Sequence, residues 1–104
     1  MFVAGQYASD ETGLVPDASA AFEQQVERAF ENLGTALKAV GLGYADVVQL
    51  RTFIVDHDEP KLHALGTVLH RIWGDALPAQ TLLGVASLAL PDMHFEVDAI
   101  AVRS

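Results

Sequence analysis

The sequence predicts an α+β sandwich in which two helices cover one face of a single sheet. Three observations carry this expectation. Strand-like and helix-like stretches follow the order β, long α, β, α, β, β. Two segments repeat apolar residues at helical spacing. The last stretch, His94 to Val102 ("HFEVDAIAV"), alternates as a strand with two unlike faces. Phe95, Val97, Ala99 and Ala101 make one face, where the small Ala residues let helices approach closely. Glu96, Asp98, Ile100 and Val102 make the other, which mixes acid with hydrocarbon and suits neither open water nor an ordinary core. That second face is left for a partner subunit.

Residues 1 to 8 read as extended chain, and Asp10-Glu11-Thr12-Gly13 as a polar turn. From Ser19 to Val40 apolar residues recur at Phe22, Val26, Ala29, Phe30, Leu33, Leu37 and Val40, one face of a helix of about six turns. Asp17 or Ser19 can cap its start, and Gly41 with Gly43 can end it in a left-handed turn. Val47 to Val55 ("VVQLRTFIV") is β-branched and alternates only in part, as a central strand covered on both faces would. Asp56-His57-Asp58-Glu59-Pro60 opens a second helix with the stripe Leu62, Leu65, Leu69 and Ile72, ended by Gly74. Gln80 to Leu88 and His94 to Val102 then form two strands separated by Pro91-Asp92.

With 104 residues, 51% of them hydrophobic and 19% charged, the chain reads as one globular domain, residues 1–104. So much apolar surface in so small a domain favours self-association. There are no cysteines, which removes thiolate catalysis, disulfides and Cys-based metal sites and points to a cytoplasmic home. The N-terminus lacks the basic and apolar regions of a signal peptide, and no run reaches the roughly 18 apolar residues of a membrane span. Fourteen acidic against six basic residues give a formal charge of −8, which repels phosphate backbones and anionic lipid. Neither nucleic acid nor a membrane is an expected partner.

Among the reactive side chains, His63 and His70 lie two helical turns apart, about 10.5 Å along the axis, too far for one ion. His57 falls in an acidic turn and His94 at a strand start, so no metal site is expected. Gly41-Leu42-Gly43 follows a helix and lacks a third Gly, which makes it a helix end instead of a dinucleotide loop. Ser9, Ser19, Ser87 and Ser104 sit in no nucleophile elbow, and Trp73 reads as packing. Glu96 and Asp98 remain. Asp98 can bond to backbone amides or basic groups at a subunit seam, or take part in the site. A carboxyl group partly withdrawn from water has a raised pKa and can hold or deprotonate a water molecule; Glu96 is expected to be such a group, with Asp98 pushing in the same direction.

Several segments taken together resemble the RidA, or YjgF-like, family of reactive-intermediate deaminases. Val3-Ala4-Gly5-Gln6 resembles the family's V-S-G-Q, and Pro78-Ala79-Gln80-Thr81 its P-A-R-[ST]. Phe95 to Val102 resembles V-E-I-E-A-I-A-V, and Asn32-Leu33, Gly41 and Ala45-Asp46-Val47-Val48 fall in the family's order and spacing. The resemblance spans residues 1 to 104. It implies a chorismate-mutase-like α+β fold with one mixed sheet and both helices on one face. It further implies a homotrimer whose sheets face inward, small-molecule sites in the clefts between subunits, and no cofactor. Family members hydrolyse enamines or imines such as 2-aminoacrylate to a keto acid and ammonia. The family Glu that matches Glu96 positions the attacking water, so Glu96 is the expected catalytic residue. Gln80, Thr81, Ala4, Gly5 and Gly66 are the expected substrate-binding positions.

At three of these positions the chain departs from the pattern. Gln80 stands where the family has the Arg that pairs with a substrate carboxylate, Ala4 replaces the Ser, and Gly66 falls at the position of an Asn. The segment that often supplies an aromatic residue ahead of the first strand is also missing from the expected pattern. A neutral amide bonds to a carboxylate without neutralising it, so weak activity on 2-aminoacrylate is expected. The expected function is a RidA-like hydrolase or deaminase of another small metabolite. The alternative is a noncatalytic small-molecule-binding or accessory trimer. A ribonuclease role ranks below both, because the chain has no basic stripe.

Overall fold

A computed structural model describes residues 1–10 and 21–103. The elements are β1 (Phe2–Gln6), α1 (Phe22–Ala39), β2 (Val47–Val55), α2 (Glu59–Trp73), β3 (Ala79–Val85) and β4 (Phe95–Ala101), with a 3-10 turn at Tyr44–Asp46 before β2. The strands form one sheet in the order β1-β4-β2-β3. β4 pairs antiparallel with both β1 and β2, and β2 pairs parallel with β3. A parallel pair needs a long crossover, which α2 supplies. The result is the mixed sheet under two helices that the sequence leads one to expect.

The apolar face of α1 is buried through Val26, Ala29, Phe30, Leu33 and Leu37. Its 18 residues make about five turns, one fewer than expected. The N-cap position is Ala21, with no side-chain cap; the expected caps Asp17 and Ser19, and Glu11-Thr12-Gly13 of the expected turn, lie outside the described residues. At the other end Gly41 has φ +77°. The Leu42 N–H donates to the Leu37 carbonyl and the Gly41 N–H to that of Lys38, so the last turn closes in a Schellman arrangement. Gly43 takes no part in the left-handed turn: its φ is −141° and it opens the 3-10 turn.

In α2, Asp58 accepts the Lys61 N–H at 2.9 Å, Pro60 lies in the first turn and Gly74 ends the helix at φ +57°. Leu65, Val68 and Leu69 are buried, but Leu62 is 50% exposed, so the buried stripe begins one turn later than the spacing predicts. Trp73 packs edge-on against Phe30 and Tyr44 and donates its indole N–H to the Tyr44 carbonyl. Beneath the helices Phe95, Val97, Ala99 and Ala101 of β4 are buried, as are Leu50, Thr52 and Ile54 of β2. β3 stops at Val85, short of the expected Leu88. One expectation for β2 fails within the chain. The described residues cover one of its faces, and a register shift between Val47 and Gln49 leaves Val48 exposed beside it.

Candidate active site

Among the described residues, nothing forms a covering layer on the face of the sheet turned away from the helices, and the register places its residues in rows. Asp98 pairs with Arg51, and Arg51 with Thr81. One step along, Glu96 pairs with Phe53 and Phe53 with Leu83. Directly paired residues point to the same side of a sheet, so these six share the uncovered face.

Glu96 owes its position to the strand beside it. Val3 pairs with Ala99 and Gln6 with Val97, so Ala4 and Gly5 together face Asp98 in a bulge. There the Glu96 side chain lies against Gly5: an ideal Cβ on Gly5 would sit 2.5 Å from Oε2 and 2.7 Å from Cδ. A side chain at this position would displace that carboxyl group from where it lies. Partial burial raises the Glu96 pKa, and the negative charge of Asp98 adds to the rise.

Asp98, 6% exposed, has its partner inside the chain. Arg51 donates from Nε to both carboxylate oxygens at 3.0 and 3.1 Å and from Nη2 at 2.6 Å. The guanidinium also stands 5.7 Å from the centre of the Phe53 ring. Its bond to Asp98 holds its pKa up. Sequence reasoning singled out Asp98 but not Arg51. The available signal was a lone cation in the otherwise uncharged stretch "VVQLRTFIV", on the face opposite Leu50 and Thr52.

The expected site residues divide between the two sides of the sheet. Glu96, Gly5 and Thr81 share the uncovered face, with Ala4 exposed beside Gly5. Gln80 pairs with the buried Leu50, so it points to the helix side, where its Nε2 donates to the Thr52 hydroxyl at 3.3 Å. Gly66 lies on the exposed surface of α2, in a shallow open cleft with Leu62, His63, Thr67 and His70. A single chain therefore does not bring Gln80 or Gly66 to Glu96. A second cleft, about 200 Å³ between α1 and α2 over Phe30 and Tyr44, contains none of these residues. Asn32, part of the motif pattern, anchors the end of β1: its Nδ2 donates to the carbonyls of Tyr7 at 2.7 Å and Ser9 at 3.2 Å.

The profile of the family described as endoribonuclease L-PSP matches residues 1–103. The chain belongs to this family, the YjgF or Rid family. It is 36% identical over 103 residues to the RutC family protein YjgH of Escherichia coli K12, a match covering 97% of this chain and 73% of YjgH. Its fold is similar to that of YyfB, a Rid family protein of Yersinia pestis, with a TM-score of 0.87 and 31% identity over 97% of this chain and 76% of YyfB. It is also similar to Escherichia coli TdcF, solved with bound serine, with a TM-score of 0.83 and 28% identity over 99% of this chain and 80% of TdcF.

Proposed function

We propose that the protein is a RidA-like hydrolase that acts on a small imine, enamine or related metabolite in clefts between copies of the chain, most economically a homotrimer. The observation that carries this reading is Glu96. Its carboxyl group rests against a glycine, partly withdrawn from water, on a sheet face that no described residue of the chain covers. A carboxyl group with a raised pKa is a stronger base than an ordinary carboxylate and so is suited to taking a proton and returning it. Glu96 takes a proton from water as the water oxygen bonds to the C=N carbon, and passes it to the nitrogen. The hydroxyl proton of the resulting carbinolamine follows the same route, the C–N bond breaks, ammonia leaves and the carbon keeps the oxygen as a carbonyl.

Two further observations support a cleft between copies. The uncovered face exposes Phe2 by 56% and Leu83 by 44%, apolar surface that a second copy would withdraw from water. Gln80 sits on β3, an edge strand, so laying that edge over the uncovered face of another copy would bring Gln80 and Thr81 toward Glu96. The bound serine of TdcF favours a small polar ligand for such a site.

A second reading, a noncatalytic binding protein, is favoured by Gln80 itself, a neutral amide bonded to Thr52 where the family pattern has Arg. Imines released by an amino-acid oxidase from a panel of amino acids separate the two, provided the panel includes aspartate and glutamate, whose imines carry a second acid group set off by carbon spacers. Faster appearance of the keto acid with the protein present supports the hydrolase. Binding with no acceleration across the panel supports the binder. 2-Aminoacrylate should rank among the slower substrates.

A further inference from the structure

The Arg51 guanidinium is more than a partner for Asp98. An Arg fork has five N–H donors, and the bonds to Asp98 engage only the edge made by Nε and Nη2. The edge made by Nη1 and the second Nη2 proton has no protein acceptor among the described residues, and 47% of the side chain is exposed on the uncovered face. Asp98 fixes the plane of the fork, and Phe53 lies beside it in the row of Glu96. Arg51 pairs in register with Thr81, which adds a hydroxyl group to the same spot. Glu96 and Arg51 are diagonal neighbours across β4 and β2, about 7–8 Å apart at the backbone. The face thus sets a carboxylate and an open guanidinium edge side by side, a pattern complementary to a small molecule with a cationic nitrogen at one end and an acid group at the other.

We propose that Arg51 is the specificity-determining residue that receives the acid group of the ligand, in place of the absent Arg at position 80, while the ligand nitrogen lies at Glu96. This rests on the site proposed above and narrows its substrate class. The diagonal spacing favours amino or imino acids whose acid group is separated from the nitrogen-bearing carbon by a carbon spacer. In 2-aminoacrylate the two are adjacent.

Equilibrium binding tests this without any turnover, so it stands apart from the hydrolase reading: an inert protein can still bind by charge. The probes are 4-aminobutyrate, its carboxamide 4-aminobutyramide, and alanine, followed by NMR titration of the intact protein. The wild type should bind 4-aminobutyrate at least about tenfold more tightly than the amide, and more tightly than alanine. The double variant Arg51→Gln/Asp98→Asn removes both charges together and leaves no buried carboxylate unpaired. It should bind acid and amide alike. Arg51→Lys, which keeps the charge without the fork, should show a reduced preference and serves if the double variant does not fold. No preference for the acid in the wild type, or the full preference persisting in both variants, overturns the proposal.

Discussion

At the scale of single residues, the contact between Gly5 and Glu96 dominates. A methyl group on Gly5 would overlap the Glu96 carboxyl, so Gly5→Ala must push that carboxyl aside or shift the bulge. We expect Gly5→Ala to fold, because Gly5 is exposed, and to lose turnover nearly as fully as a variant of Glu96. Steady-state rates beside a thermal melt check both parts. The pKa of Glu96 gives a second prediction, with a definite sign. Its folded value lies above the ordinary 4.5, so the fold prefers the protonated form. That contribution is fully present below about pH 4.5 and is lost as the pH rises through the folded value. Glu96→Gln, which mimics the protonated group, should therefore gain stability relative to wild type as the pH rises from 4 to 7. Denaturant melts across that range measure it, and a difference that shrinks with pH contradicts the assignment. The carboxyl group was legible in "HFEVDAIAV" because a charge on an alternating strand is conspicuous. Arg51 was not, because its partner Asp98 lies 47 residues away and no local pattern joins them.

At the scale of elements, legibility followed periodicity. The α1 stripe and both faces of β4 were readable because helix and strand repeats differ sharply. The helix start and the second face of β2 were not. A strand covered on one face within its own chain and a strand covered on two have similar β-branched sequences. The side of the sheet that Gln80 takes depends on its parallel pairing with Leu50, and register across a crossover has no sequence signature. Asn32 ties two elements together, holding the chain after β1 to α1 through the carbonyls of Tyr7 and Ser9. Asn32→Ala leaves those carbonyls without this donor and should cost about 1–3 kcal/mol in urea unfolding. Because β1 carries Gly5, the same variant should also lower turnover. A variant as stable as wild type would show that β1 is held by its pairing with β4 alone.

At the scale of the whole molecule, the fold places Glu96, Gly5, Thr81 and Ala4 at the uncovered face of the sheet and Gln80 and Gly66 on the helix side. Sequence order brought Glu96, Gly5, Gln80, Thr81 and Gly66 into one list through the family pattern. Topology separates them within one chain, and the assembly proposed above is what would bring them together. Light scattering should accordingly give about three times the 11.1 kDa chain mass at micromolar concentration. A monomer would leave Gln80 and Gly66 with no route to Glu96. The central claim is that the Glu96 carboxyl performs the proton transfers at that assembled site, and one comparison tests it most directly: imine hydrolysis by wild type and by Glu96→Gln, on the best substrate of the amino-acid oxidase panel. The amide keeps the size and the hydrogen-bonding capacity of the carboxyl but cannot carry the proton. Turnover should fall by about 10²-fold or more with the mass in solution unchanged; turnover by Glu96→Gln at the wild-type rate would show that Glu96 does not carry the proton.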